Sequence, residues 1–203
     1  DKDIQSEKML SELKIIYKDR LNIIIDDALN YPIWNLGKAP RQVIANLPYN
    51  VGTKMLINWL RHIQNFDLLT LMFQKEVADR IIAKPGSKNY GRLSILSNWK
   101  LEIKKICDIK PTSFFPKPKV DSSLLFFTPK KKFFKLNDPR NLEKITRIFF
   151  NHRRKMIKKP YNKIFNGNLK ISEKLNIDLN LRPQNLNFET YYKLANEYEN
   201  LRS

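Results

Sequence analysis

Cysteine occurs once, at Cys107, and histidine twice, at His62 and His152, in a chain of 203 residues. A single thiol leaves neither a disulfide framework nor a Cys-based zinc site. It suits a reducing compartment, which makes a cytoplasmic location the expectation. The two isolated histidines offer no metal cluster; His62 reads as a helix-surface residue and His152 as part of a basic patch. Glycine is scarce too, with Gly37, Gly52, Gly86, Gly91 and Gly167. None of these builds a phosphate loop closed by Lys-Ser or Lys-Thr, which speaks against a nucleoside triphosphatase. No apolar run reaches the roughly 18 residues of a membrane span, and the opening Asp1-Lys2-Asp3 does not read as a signal peptide. Acid is the last shortage: 20 Asp+Glu face 38 Lys+Arg, a net charge of +18.

That excess calls for a soluble anionic partner, and nucleic acid is the first candidate. The charge is unevenly placed. Residues 117–163 hold 15 Lys and Arg against three acids, Asp121, Asp138 and Glu143. Aromatic side chains interleave there (Phe133, Phe134, Phe149, Phe150, Tyr161). A solvated face explains an isolated lysine run, but a patch this one-sided repels itself unless a polyanion neutralises it. Arg153, Arg154, Lys155, Lys158 and Lys159, five cations in seven positions, are the candidate RNA contacts, and Lys119 joins them from the preceding loop. Apolar residues make up 42%, with 12 Phe, 8 Tyr and 3 Trp in recurring runs, so the chain is no disordered polybasic tail.

The first two-thirds alternates helical and strand patterns. Ile4, Met9, Leu10, Leu13 and Ile16 recur at helical spacing up to about Tyr17. Residues 22–26 form a short apolar run, as in a strand buried on both faces. Residues 42–45 are a second strand, followed by a helix over about 52–62. A third strand covers 67–73, with helices near 75–83 and 92–99. Strands over 101–109 and 120–127, joined by a Pro-rich loop, add an antiparallel edge. This alternation predicts an α/β fold with an open, largely parallel sheet and Cys107 in its core. After Pro129 the pattern changes. Asp138-Pro139 starts a helix with Leu142, Ile145, Ile148 and Phe149 on one face, and Asn-rich turns separate short helices as far as Tyr198. Residues 1–128 thus read as a catalytic α/β domain and 129–203 as a small, basic, all-helical one. The 21 asparagines read as compositional drift.

Asn46-Leu47-Pro48-Tyr49 directly follows the strand over 42–45. In open α/β sheets ligands sit beyond the carboxyl ends of strands, so a substrate would lie here. The chemistry suits a planar exocyclic amine, a poor nucleophile because its lone pair is delocalised into the ring. The Asn46 side-chain oxygen and the Leu47 carbonyl can accept its two N–H bonds and draw the nitrogen toward a tetrahedral shape. Pro48 fixes φ and removes a competing donor. Tyr49 offers a ring for base stacking, worth roughly 1–3 kcal/mol. Taken alone, the tetrapeptide reads more readily as a plain turn ending a strand.

Its neighbours sharpen the reading. Asp26-Asp27-Ala28 follows the first apolar run, and Gln74-Lys75-Glu76-Val77 and Asn89-Tyr90-Gly91-Arg92-Leu93-Ser94 come after the tetrapeptide. Then come Phe114-Phe115-Pro116-Lys117-Pro118-Lys119-Val120-Asp121-Ser122, residues 149–155 (FFNHRRK) and residues 182–186 (RPQNL). This ordered series resembles the ribosomal RNA small-subunit adenine N6,N6-dimethyltransferases (KsgA type), S-adenosylmethionine-dependent enzymes related to the erythromycin-resistance rRNA methyltransferases. The resemblance implies a Rossmann-like methyltransferase sheet with a helical C-terminal domain. It implies dimethylation of adenine N6 amines in a loop of the small-subunit (16S) rRNA, coupled to small-subunit biogenesis. Asn46, Leu47, Pro48 and Tyr49 would hold the target adenine, with Phe114 closing on its other face. Asp27, with Ala28 and Asn46, would hold S-adenosylmethionine, Asp27 accepting from its adenine amine; on its own Asp27 reads as a helix N-cap or an Asx turn. No metal is implied.

The resemblance also marks a gap. Family members open with a strand and a Gly-rich turn that cradles the methionine part of the cofactor, and this chain carries no G-x-G. Asp1-Lys2-Asp3-Ile4 resembles the residues just after the family's ribose-binding acid. The sheet is therefore expected to be N-terminally incomplete by at least one βαβ unit, roughly 30 residues. The polypeptide as written is expected to bind S-adenosylmethionine poorly, and to be a monomer unless an exposed sheet edge pairs with another chain. The rival reading is a non-catalytic RNA-binding factor of small-subunit assembly. A DNA adenine-N6 methyltransferase shares the tetrapeptide logic, but usually carries a Pro-Pro pair where this chain has Leu47-Pro48.

Overall fold

The computed structural model describes residues 4–202, with side chains from residue 10. The resemblance placed on Asp1-Lys2-Asp3 lies outside the described residues. Helix α1 (Ile4–Tyr17) spans the stretch that its apolar spacing predicts, although Leu13 and Ile16 stay exposed. Then come β1 (Gln42–Asn46), α2 (Gly52–Trp59), β2 (Leu68–Gln74), α3 (Lys75–Ile81), α4 (Arg92–Lys100), β3 (Leu101–Ile109) and β4 (Ser122–Pro129).

The sheet order is β1-β2-β4-β3. Strands β1 and β2 are parallel, whereas β4 runs antiparallel to both β2 and β3. The described sheet is therefore mixed: β1, β2 and β3 run the same way and β4 alone runs against them. The loop at 110–121 turns the chain back on itself, so β4 inserts between β2 and β3, and the pair β3–β4 forms the antiparallel edge expected from the sequence. Residues 22–26 are not a strand. Ile23, Ile24 and Ile25 are half-buried in irregular backbone, and the described ladder of β1 is the one with β2. An apolar run becomes a strand only where a neighbour takes up its backbone groups in a ladder. Cys107 does lie on β3, but it is exposed and not in the core. The register slips between Lys105 and Cys107 on this edge strand, and the alternation of buried and exposed residues fails there. His62 is a half-buried residue of the turn after α2, its ring stacked on Trp34 at 3.9 Å.

Burial concentrates on the two central strands. Leu69 and Leu71 of β2 and Leu125 and Phe127 of β4 are fully buried, and Phe73 meets Phe127 edge-on at 6.1 Å. Helix α4 touches α2 and α3 on one side and the C-terminal helices on the other. That enclosure explains why Ser94 and Ser97 are buried along with Ile95, Leu96 and Trp99.

The C-terminal segment is helical as read: α5 (Pro139–Phe150), α6 (Lys158–Phe165), α7 (Leu169–Lys174) and α8 (Phe188–Asn200). Asp138 caps α5 by accepting from the Arg140 N–H, and Pro139 occupies the first turn, where its missing N–H costs nothing. Leu142, Ile145 and Phe149 form the buried stripe, with Ile148 at its margin. Four of the 21 asparagines have a definite structural place. Asn168 and Asn187 cap α7 and α8, while Asn166 and Asn176 take the left-handed backbone that ends short helices. Helices α5 and α8 pack on α4, so one apolar cluster runs from the sheet into the C-terminal helices.

One polar cluster braces the sheet at the end where β2 stops. Asp108 accepts from Lys75 and Lys105 and from the Ser123 hydroxyl, each at 2.6 Å. These donors hold its carboxyl far below the usual carboxylate range, Lys105 and then Lys75 acting most strongly. In turn Asp108 raises Lys75 to about 12.

Two outcomes are expected. Leu71→Ala, which opens a cavity between β2 and its neighbours, is expected to cost about 2–5 kcal/mol in urea denaturation; an unchanged midpoint would mean that the central strand is not the core. Asp108 has a depressed folded pKa, so its contribution is complete above its ordinary value of 3.8 and fades as pH falls below it. Denaturation of wild type and Asp108→Asn across the acid range is expected to show a stability gap that is constant near neutrality and closes only in strong acid. A gap that closes near neutral pH would contradict the ion-pair assignment.

Candidate active site

Strand β1 ends at Asn46, and the chain turns at once into α2, with the Val51 and Gly52 N–H groups donating to the Pro48 carbonyl at 3.1 and 2.9 Å. Leu47 is buried and pins this turn against the start of α2. A Cβ on Gly52 would stand 3.1 Å from the Leu47 Cβ, so the close approach leaves little room for a side chain there.

The antiparallel return of β4 completes the site. Ser122, its first residue, pairs with Gln74 at the end of β2 and with Ile109 at the end of β3. Asn46 pairs with Met72 at the same end of the sheet. The 110–121 loop therefore reaches the tetrapeptide from across the sheet. Residues 46–49 on one side and Phe114, Phe115, Pro116 and Pro118 on the other line a hollow of about 400 Å³. Phe114 is half-buried in it, and Phe115 is fully exposed. The Tyr49 and Ser122 hydroxyls are 2.8 Å apart and share a hydrogen bond.

A second hollow of about 570 Å³ lies on the other side of Asn46, Leu47 and Pro48, which line both. It reaches Asp26, Asp27 and Ala28, and the apolar side chains of Ile33, Val43, Met55 and Trp59 line it. Asp27 is set by an Asx turn. Its Oδ1 accepts from the Leu29 N–H at 3.0 Å, and its carbonyl accepts from the Asn30 and Tyr31 N–H groups. Such a hollow suits a flat, largely apolar group that carries amine donors.

The basic cluster divides in two. Arg154, Lys155, Lys158 and Lys159 line a hollow of about 880 Å³ together with His152 and Arg182. Arg153 is separate: it is half-buried and donates to the Ser87 carbonyl at 3.0 Å. Lys119 is exposed on the 110–121 loop, next to Pro118 of the first hollow. Sequence reasoning gave no role to Ser122 or Arg182. Both stand in quoted motifs, but nothing in the spacing puts Ser122 against Tyr49 or Arg182 beside Lys158.

The sequence model of the ribosomal RNA adenine dimethylase family matches residues 6–200. The chain is 56% identical over 198 residues to the ribosomal RNA small subunit methyltransferase A of Pelagibacter ubique, covering 94% of this chain and 76% of that protein. It is 45% identical over 182 residues to the protein of the same name from Ehrlichia ruminantium, covering 89% of this chain and 69% of that one. A crystal structure of a dimethyladenosine transferase from Plasmodium falciparum superposes with a TM-score of 0.83 at 25% identity, over 98% of this chain and 80% of the other. The 23S rRNA methyltransferase ErmE shares the fold alone, with a TM-score of 0.66 at 16% identity over 100% of this chain and 80% of its own. With two hollows meeting at the tetrapeptide 46–49 and a family match that spans almost every residue, the chain belongs to the ribosomal RNA adenine dimethylases.

Proposed function

We propose that this protein transfers two methyl groups from S-adenosylmethionine to the N6 amine of adenines in a small-subunit rRNA loop, in the cytoplasm, as a step of small-subunit biogenesis. One observation carries the reading: the tetrapeptide 46–49 and the 114–118 segment face each other across one hollow, and Asn46–Pro48 also lines a second one. The first hollow takes the target base, stacked between Tyr49 and Phe114. A loop adenine costs less to extrude into it than a paired one.

The second hollow fits the adenosine end of the cofactor, because it joins an apolar slot to the Asp27 carboxylate. Bound there, S-adenosylmethionine supplies a methyl group already activated on a sulfonium. This chain's residues supply position. The Asn46 side-chain oxygen and the Leu47 carbonyl accept the two N–H bonds of the amine and aim its lone pair toward the second hollow. After the first transfer one N–H remains, so one acceptor is released while the stacked rings keep the base in place. Arg154, Lys155, Lys158, Lys159 and Arg182 hold RNA phosphates at a distance from the reacting amine.

A second reading, a non-catalytic RNA-binding assembly factor, draws on the absence of glycine among the described residues that line the second hollow. Radiolabelled S-adenosylmethionine and undermethylated small subunits separate the two. Label in dimethyladenosine at saturating S-adenosylmethionine is the expected result, with Asn46→Ala lowering kcat roughly 100-fold, the scale for one lost preorganised contact. No label with RNA binding retained leaves the assembly factor.

The basic hollow makes an independent prediction. Replacing Arg154 and Lys155 with Ala is expected to weaken RNA binding and to reduce the slope of log affinity against log salt by about two, one per lost phosphate contact. Arg153→Ala, which loses the Ser87 contact, is expected to lower the denaturation midpoint instead. Filter binding across a salt series reads the first effect, and an unchanged slope removes the pair from the interface.

A further inference from the structure

We infer that Ser122 is a positioning residue for Tyr49: a single hydroxyl–hydroxyl hydrogen bond fixes the ring on which the target base stacks. The inference rests on the proposed base slot and adds a residue to which that reading gives no part.

Ser122 is completely buried, whereas Tyr49 is 36% exposed. The 2.8 Å bond between them therefore joins an immobile anchor to a ring that is free on its outer face. Without the bond, the turn at 46–51 leaves the Tyr49 ring free to rotate about its side-chain torsions into solvent. The anchor is itself braced. Ser122 is held in the ladder between Gln74 and Ile109, and its neighbour Ser123 donates to Asp108 at 2.6 Å. On its other side, Asp121 accepts from Lys110 at 2.8 Å across the base of the loop, and the Asp121 carbonyl accepts from the Lys75 N–H at 2.9 Å.

The same residue ends the loop that carries Phe114. The bond thus ties the two walls of the slot at one point and sets their spacing. It also uses the Tyr49 hydroxyl, which leaves the ring face as the part offered to the base. Slot spacing matters most in the second transfer, when the amine already carries a methyl group and has lost one of its two N–H bonds. A loosened Tyr49 is expected to slow the second transfer more than the first.

The test compares Ser122→Ala, Tyr49→Phe and the double variant of the full chain. In methyl transfer, each single variant is expected to raise the ratio of monomethyl to dimethyl product several-fold, with the double no worse than either, because all three lack the same bond. Additive effects, or an unchanged ratio in Ser122→Ala, overturn the inference. NMR of protein labelled with ¹³C-tyrosine, without RNA, gives a reading independent of activity. Ser122→Ala is expected to shift or broaden the Tyr49 ring signals while the other tyrosines stay unchanged, and an unaffected Tyr49 overturns the inference. Were the wild type to methylate nothing, the proposed function would fail while the NMR comparison still decided the role of Ser122.

Discussion

The antiparallel entry of β4 between β2 and β3 is the constraint on which the site depends. It places the start of β4 at the same end of the sheet as the finish of β1, so the loop before β4 meets the turn after β1. Were β4 parallel to its neighbours, Ser122 would belong to the opposite end, and the chain after Phe114 would have to cross the sheet to reach it instead of closing on residues 46–49. The register also converts a local ion-pair cluster into a device for the site. Asp108, held by Lys75, Lys105 and Ser123, clamps three strand ends together within a few residues of the hollow between residues 46–49 and 114–118.

The two hollows differ in the chemistry of their walls. One is built from rings and prolines, which bring shape with few alternatives to lose on binding. The other combines apolar walls with a carboxylate set by an Asx turn. Asn46, Leu47 and Pro48 form the partition, so a group held on one side can meet a group held on the other without either leaving its place. For transfer between two bound partners, this shared wall provides orientation at no further cost in ordering.

Local structure was legible in the sequence; pairing was not. The strand before the tetrapeptide, the cap at Asp138 and the span of α4 followed from residue types and spacing, whereas the place of Phe114 opposite residues 46–49 came from the family resemblance. The position of β4 did not follow from spacing, because apolar runs say that strands exist and are silent on which strands pair. Residues 22–26 misled for the same reason: three consecutive isoleucines satisfy a strand pattern whether or not a ladder is present. Cys107 was placed in the core because it lies on a strand, and an irregularity of that edge strand leaves it exposed. The basic run 153–159 showed where the charge is, but not that Arg153 turns toward Ser87 while its neighbours open a hollow with Arg182.

Helix α4 is enclosed by the sheet and its helices on one flank and by α5 and α8 on the other. It therefore has almost no outer side on which sequence drift is harmless. A change of volume at Ile95, Leu96 or Trp99 must be absorbed at once by the half that holds the sheet and by the C-terminal helical half. The two halves are in this sense obliged to evolve together, with this one helix as the shared record of that obligation.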